Sequence, residues 1–70
     1  MNNDTLELLN LVDDGMTQIM LYNKLKRKDY DLYVRLGAMK GMARTVEDLE
    51  KADYLIRDTD NRLYKALGVK

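Results

Sequence analysis

The side chains of this sequence with the clearest chemical use are four bases within five positions, Lys24, Lys26, Arg27 and Lys28. Ammonium and guanidinium groups at this density can contact phosphates, because phosphate binding is mainly electrostatic. The same run is also typical of a solvated helix face or a hairpin corner. The pattern therefore indicates either a nucleic-acid contact or an ordinary basic surface.

These bases belong to the basic middle third of a chain whose net charge is zero. Residues 1–14 carry four acids and no base, residues 15–44 carry seven bases and two acids, and residues 45–70 carry five bases and six acids. A local cluster can bind phosphate even on a neutral protein, although zero net charge argues against strong non-specific binding to nucleic acid. The middle third is thus the predicted DNA-binding segment.

Composition argues against catalysis and against a bound metal. The sequence has no His, Cys or Ser, so it offers no serine or cysteine nucleophile, no imidazole and no Cys/His zinc site. Asp58–Asn61 is similar to the start of a calcium loop, but Leu63 and Val69 stand where that loop needs glycine and glutamate. We expect a protein that is not an enzyme and holds no metal or other cofactor.

Length and hydropathy predict one small intracellular domain over residues 1–70. The sequence has no apolar run long enough to span a membrane, and its acidic start has no signal-peptide core. The lack of cysteine fits a reducing compartment such as the cytoplasm. A chain of 70 residues has little core of its own, so self-association is an expected source of further burial.

The last third carries the clearest helical pattern. Thr45 is the predicted N-cap of a helix over residues 45–68, and Gly68 is its predicted C-cap. Apolar or small residues recur at alternating spacings of three and four, which places them on one helical face. This amphipathic face is the predicted oligomer interface, through Leu49, Ala52, Ile56 and Leu63.

The earlier segments predict shorter helices, so the expected fold is all-α with three to four helices and no proline to break them. Asp4 or Thr5 can cap the first helix and Thr17 the second. Residues 17–43 allow two interpretations. One places a turn near Lys26–Asp29, with Asp29 capping a third helix to about Ala43, and this is the one we favour. The other is a single continuous helix.

Gly37 and Gly41, with Ala38 between them, form a strip of small residues in this region. Each glycine costs a helix roughly 1 kcal/mol relative to alanine. The strip is explained by tight packing against the C-terminal helix, by close approach of DNA or another helix, or by the end of the helix near Gly41.

Two short segments resemble the Cro/repressor type of helix-turn-helix phage regulators. Gly15-Met16-Thr17-Gln18, followed by Leu21 and Leu25, looks like the start of the second helix of that family. The segment from Thr45 to Lys51 resembles the Ser-Leu-Glu-Thr-Leu-x-Lys opening of a later helix. Tyr22 departs from the small residue usual at its position, and Lys26 replaces the usual turn glycine.

The resemblance implies a recognition helix over about Asp29–Leu36. Its base-contacting side chains would be Tyr30, Tyr33 and Arg35. Lys24, Lys26, Arg27 and Lys28 would contact phosphates and position the domain. Asp29 and Asp31 repel phosphate, and the Asn, Gln and Ser usual for base contacts are missing from this segment.

Together these patterns predict a small, non-enzymatic regulator of phage or plasmid type that binds DNA through a basic helix-turn-helix-like middle segment. The alternative is a protein-binding inhibitor or adaptor that acts on a host or defence factor through a helical-bundle surface. The placement of the bases separates the two. Convergence of Lys24–Lys28, Arg35 and Lys40 on one face favours DNA, whereas scattered bases beside an apolar Met and Tyr patch favour a protein partner.

Overall fold

The computed structural model describes residues 2–66, which form four helices and a three-stranded antiparallel sheet. The elements, in chain order, are α1 Asn3–Leu11, β1 Met16–Thr17, α2 Gln18–Lys28, α3 Tyr30–Leu36, α4 Ala38–Lys51, β2 Leu55–Arg57 and β3 Arg62–Lys65. The expected all-α fold is therefore wrong, and the domain is mixed α and β. No described helix is both long and apolar enough to cross a membrane.

Local capping chemistry sets the starts of the first three helices. Asn2, rather than Asp4 or Thr5, caps α1 by accepting the N–H of Thr5 at 2.8 Å. Thr17 caps α2 as predicted, since its Oγ1 accepts the N–H of Met20 at 3.2 Å. Asp29 caps α3 as predicted, since its Oδ1 accepts the N–H of Leu32 at 3.1 Å. The predicted turn inside residues 17–43 is confirmed, and the continuous helix is wrong.

A sharp corner ends α3 at Leu36 instead of letting it run to Ala43. Gly37 has a φ of 101° and Ala38 a φ of 61°, so two successive residues lie in the left-handed region and redirect the chain into α4. A Cβ on Gly41 would overlap the carbonyl oxygen and carbon of Leu36. The small-residue strip thus serves the close approach of the end of α3, and not packing against a C-terminal helix.

The helix predicted over residues 45–68 is the largest error. Thr45 lies inside α4, where its hydroxyl donates to the carbonyl oxygen of Gly41 at 2.9 Å. The helix ends at Lys51, Asp53 adopts a φ of 64°, and the chain continues as the β2–β3 hairpin. The polar run Asp58–Asn61 forms the turn of that hairpin, as Asp and Asn often do. Gly68, the predicted C-cap, lies outside the described residues.

β3 is the central strand, with β1 on one side and β2 on the other. Leu63 pairs with Met16 across one ladder and with Arg57 across the other. The Arg62 guanidinium donates to the carbonyl oxygen of Gly15 at 2.6 Å, which adds a side-chain contact beside the β1–β3 ladder. The hairpin therefore closes onto the segment that immediately precedes α2.

One apolar core lies between the helices and the sheet. Its buried members are Leu8, Leu9, Val12, Met16, Leu21, Leu25, Leu32, Met42, Val46, Leu49, Leu55 and Leu63. Leu49 and Leu63 belong to this core and are fully buried within the chain, whereas Ala52 and Ile56 are exposed. The predicted oligomer seam required these four residues to share one helical face, and that face does not exist because residues 55–65 are strands.

The sheet predicts that truncation of Leu63 and of Ile56, which the helical interpretation placed on one face, destabilises the fold by very different amounts. Leu63→Ala should cost about 2–5 kcal/mol of unfolding free energy, because it leaves a cavity beneath the central strand. Ile56→Ala should cost less than about 1 kcal/mol, because Ile56 is 55% exposed. Urea denaturation followed by circular dichroism measures both. Equal losses for the two variants would contradict the strand assignment.

The α3–α4 corner predicts whether Gly41→Ala stabilises or destabilises the protein. Helix propensity alone would make Gly41→Ala stabilising by roughly 1 kcal/mol. The overlap with Leu36 should instead make it destabilising by about 1–3 kcal/mol or more. Thermal unfolding measures the difference, with Lys40→Ala as the neighbouring exposed control, expected within about 0.5 kcal/mol of the wild type. A Gly41→Ala protein at least as stable as the wild type would rule out the close approach.

Candidate functional site

Two of the bases predicted to bind DNA are engaged in ion pairs with the N-terminal segment. Lys24 Nζ lies 2.8 Å from Asp13 Oδ2. Arg35 pairs through Nε with Asp4 Oδ1 at 3.2 Å and through Nη2 with Glu7 Oε2 at 3.1 Å. The hydrogen bond from Lys24 lowers the pKa of Asp13, and the hydrogen bond to Asp4 raises the pKa of Arg35. These bases join α2 and α3 to the acidic start of the chain.

Lys26 and three tyrosines form a cluster where α2 meets α3. Lys26 Nζ lies 5.4 Å from the ring centroid of Tyr22 and 5.7 Å from that of Tyr33, which is cation–π distance. The Tyr33 centroid lies 5.7 Å from that of Tyr22 and 5.5 Å from that of Tyr30. Proximity to the Tyr33 hydroxyl lowers the pKa of Tyr22, and proximity to the Tyr22 hydroxyl raises the pKa of Tyr33. Tyr22 and Tyr33 also pack against the core, whereas Tyr30 is exposed.

Arg27 and Lys28 are the remaining predicted phosphate contacts. Both are exposed and form no ion pair within residues 2–66. They lie in the last turn of α2, where cations interact favourably with the helix dipole. Among the bases predicted to bind DNA, Lys24 and Arg35 thus belong to an N-terminal ion-pair network and Lys26 to a tyrosine cluster, while Arg27 and Lys28 lie at the end of α2.

A basic surface that the sequence analysis did not assign lies on α4. Met42, Val46 and Leu49 are the buried residues of this helix. At 3.6 residues per turn, the side of α4 directed away from the core is a stripe of four exposed residues. These are Lys40, Arg44, Glu47 and Lys51.

The charges of this stripe differ between the two halves of α4. In the second half, Lys51 Nζ lies 3.8 Å from Glu47 Oε1. In the first half, Lys40 and Arg44 form no ion pair with any residue that the structure describes. Because they are one helical turn apart, the two cations project from adjacent points of the same face. The first half of α4 therefore presents localised positive charge to solvent.

An open groove of about 750 Å³ lies beside this stripe, between α2, α4 and the hairpin. Its lining comprises Thr17, Gln18, Ile19, Tyr22, Met39, Lys40, Met42, Ala43, Arg57 and Asn61. Met42 is buried, whereas Ile19 is 58% exposed and Met39 is 43% exposed. The groove thus combines apolar side chains with one of the two unpaired cations of α4.

Arg57 of β2 fixes the three sides of the groove relative to one another. Its Nη2 donates to Glu50 Oε1 on α4 at 2.8 Å and to Gln18 Oε1 on α2 at 2.8 Å. Its Nε donates to Glu50 Oε2 at 3.3 Å, so the contact with the carboxylate is bidentate. The hydrogen bonds to Glu50 raise the pKa of Arg57. The groove is therefore built on a charged contact that is partly buried.

The hairpin turn uses Asp58 as an internal acceptor. Asp58 Oδ1 accepts the N–H groups of Asp60 and Arg62, each at 2.9 Å, and Oδ2 accepts the hydroxyl of Tyr64 at 3.2 Å. These hydrogen bonds, that from Arg62 most of all, lower the pKa of Asp58. No group of acids in the described part of the chain has the arrangement of a metal site. The likeness to a calcium loop reflects a hairpin turn.

Two sequence signals could have located this site. Gly37 interrupts the middle segment just before Lys40 and Arg44, whose i, i+4 spacing places them together on any helix that begins there. The polar run Asp58–Asn61, flanked by apolar and aromatic residues, is typical of a hairpin. The contacts of Arg57 had no local signal, because its partners lie on other elements.

Comparison of the chain with protein-family models, with curated proteins and with solved structures finds no match. The function is therefore inferred from the geometry of α4, the groove and the hairpin.

The turn hydrogen bonds of Asp58 predict a pH-dependent stability. Because the pKa of Asp58 in the folded protein is below the ordinary value of 3.8, the carboxylate stabilises the fold above pH 3.8 and loses its effect as the pH falls through the folded pKa. Asp58→Asn should be less stable than the wild type near neutrality, and the difference should shrink below about pH 4. Thermal unfolding across pH measures this.

Asp60→Asn is the matched control for this experiment. It removes the same charge from the same turn, but the side chain of Asp60 accepts no hydrogen bond within residues 2–66. Its stability difference from the wild type should therefore vary little with pH. If the stability difference from the wild type is independent of pH for both variants, the charge of Asp58 does not stabilise the turn.

Proposed function

We propose that this protein binds duplex DNA through the outward face of α4, with the start of α2 and the hairpin on either side of the contact. The observation that carries the proposal is the pair of exposed cations, Lys40 and Arg44, on the side of α4 opposite the core. An α-helix fits the major groove of B-DNA. Cations on its outer face can reach phosphates or the acceptor edge of guanine.

The order of the elements supports the proposal. A helix and a short strand precede α2, and α4 is followed by a hairpin whose last strand pairs with that first strand. This order resembles that of winged helix-turn-helix domains, in which the helix before the hairpin enters the major groove. A likeness in topology is an analogy about fold, so the functional argument still rests on α4.

The start of α2 supplies a second point of contact. Thr17 and Gln18 line the groove beside α4, so the N-terminal end of α2 opens onto the same surface. Backbone N–H groups and the helix dipole make this end favourable for a phosphate. A phosphate there and a base edge at α4 would fix the register of the domain on the duplex.

This proposal places the recognition helix at α4 instead of at residues 29–36. Within α3, Arg35 is paired with two acids of α1, and Tyr33 packs against two other tyrosines. The role we propose is that of a small, non-enzymatic regulator of phage or plasmid type, as in the resemblance to Cro/repressor proteins. Side chains of α4 contact the DNA in this proposal, and the binding requires no cofactor.

A second candidate is a protein partner seated in the same groove, as in an inhibitor or adaptor. Two observations favour it. The bases of the middle third are divided among α2, α3 and α4. The groove also combines exposed Ile19 and Met39 with Tyr22. DNA remains the first candidate because Lys40, which forms no ion pair within residues 2–66, lines this same apolar surface.

The proposal predicts which charges matter for binding. The double variant Lys40→Ala, Arg44→Ala should lose roughly tenfold in affinity for each phosphate contact removed at about 0.1 M salt. The slope of log K against log salt should fall by about 0.9 for each such contact. Fluorescence anisotropy with labelled mixed-sequence duplex DNA, titrated at several salt concentrations, measures both quantities.

The matched control is Arg27→Ala, Lys28→Ala, which removes the same charge from exposed positions of α2. These residues lie roughly 13 Å along the helix axis from Ile19, given a rise of 1.5 Å per residue. The control should lose little affinity. An equal loss in both double variants would place the contact at the end of α2, and no binding by the wild type at low salt would exclude DNA and leave the protein partner.

A further inference from the structure

The apolar side chains of the groove lie on two facing elements. Ile19 comes from the first turn of α2 and Met39 from the first turn of α4, and buried Met42 lies at the floor between them. Scattered exposed apolar residues need no explanation, but apolar residues that share one concave surface define the chemistry of its occupant. That occupant must present an apolar group to Ile19 and Met39.

Three of the six polar side chains of the groove, Thr17, Gln18 and Arg57, are already engaged. Gln18 and Arg57 are hydrogen-bonded to each other, and Arg57 is also bonded to Glu50. The hydroxyl of Thr17 accepts the N–H of Met20. Hydrogen-bonding capacity for an occupant therefore comes from the other polar side chains of the lining, Lys40 and Asn61 among them, and the apolar wall of Ile19 and Met39 offers none.

The exposed edges of base pairs in the major groove are polar with one exception, the C5 methyl group of thymine. A polar base edge held against Ile19 and Met39 would lose its water without gaining a hydrogen bond, which is unfavourable. A methyl group in the same place buries apolar surface against apolar surface. We infer that Ile19 and Met39 form a receptor for the C5 methyl group of a pyrimidine in the major groove, so that the protein prefers duplexes that carry this methyl.

The charges beside the wall select DNA as the occupant. Lys40 follows Met39 directly and lines the same groove, and Arg44 lies one turn further along α4. In duplex DNA the base edges are bordered by phosphates, so an apolar contact with the cation of Lys40 beside it matches both features. The inference rests on the proposed DNA binding and specifies which chemical group of the duplex α4 recognises.

The test compares duplexes that differ only in this methyl group. An alternating A·T duplex is compared with the same duplex containing deoxyuridine in place of thymidine, and a G·C duplex with its 5-methylcytosine counterpart. Anisotropy at low salt gives the four affinities. The methylated member of each pair should bind more tightly, by about fourfold for each methyl group buried.

Three variants locate the contact. Ile19→Ala and Met39→Ala shorten the apolar wall without changing a charge, so each should bring the ratio of affinities within a pair towards one while leaving the salt slope unchanged. Val34→Ala is the matched control, because Val34 is as exposed as Ile19, at 58% for both, but lies on α3 outside the groove. It should keep the wild-type ratio. Circular dichroism checks that all three variants fold.

The outcomes separate this inference from the proposed function. Binding that depends on the methyl group in the wild type and in Val34→Ala, but not in the other two variants, supports the receptor. Equal affinity of the wild type for both members of each pair overturns the receptor but leaves DNA binding by α4 intact. A preference for the methylated duplex that persists in both Ile19→Ala and Met39→Ala has the same meaning. Absence of binding to all four duplexes overturns the proposed function, and the receptor with it.

Discussion

The pairing of β3 with β1 is the contact on which the arrangement of the domain depends. Without it, β2 and β3 would form a two-stranded hairpin held to the helices by side-chain contacts alone, and such a hairpin has little stability of its own in water. With it, Leu63 becomes a buried residue of a three-stranded sheet and is registered against Met16 on one side and Arg57 on the other. The same register brings Arg57 to Glu50 and Gln18, so the pairing both completes the core and shapes the groove.

The parts of the fold that the sequence predicted correctly are those set by local chemistry. Thr17 and Asp29 cap their helices through side-chain hydrogen bonds to N–H groups three residues ahead, and such bonds follow from residue type and spacing. The C-terminal helix failed because spacings of three and four among Leu49, Ile56 and Leu63 arose by coincidence across a helix and two strands. What overrides that pattern is the pairing of β3 with residues near Gly15, which no local signal reveals.

The site that we propose differs from the predicted one for a similar reason, since the ion pairs of a base depend on acids that are distant in sequence. The acidic first segment and the basic middle segment meet in the folded chain. Asp4, Glu7 and Asp13 there engage Arg35 and Lys24. Lys40 and Arg44 form none of these pairs, so positive charge is localised on the first half of α4, although α4 as a whole and the protein are both neutral. A sequence count of charge identifies the basic segment, but the ion pairs decide which of its bases can bind a ligand.

The corner between α3 and α4 joins the stability of the domain to the geometry of its candidate interface. Met39 and Lys40 lie between Gly37 and Gly41, the residues whose conformation and lack of a Cβ permit the corner. The direction of the first turn of α4 is therefore fixed by backbone packing against Leu36. Because the side chains of Met39 and Lys40 are not needed to hold that turn in place, they are exposed and available to a ligand. The two glycines thus position the backbone, and the side chains between them project from it. In this way a small domain can orient a contact surface without a second layer of packed residues behind it.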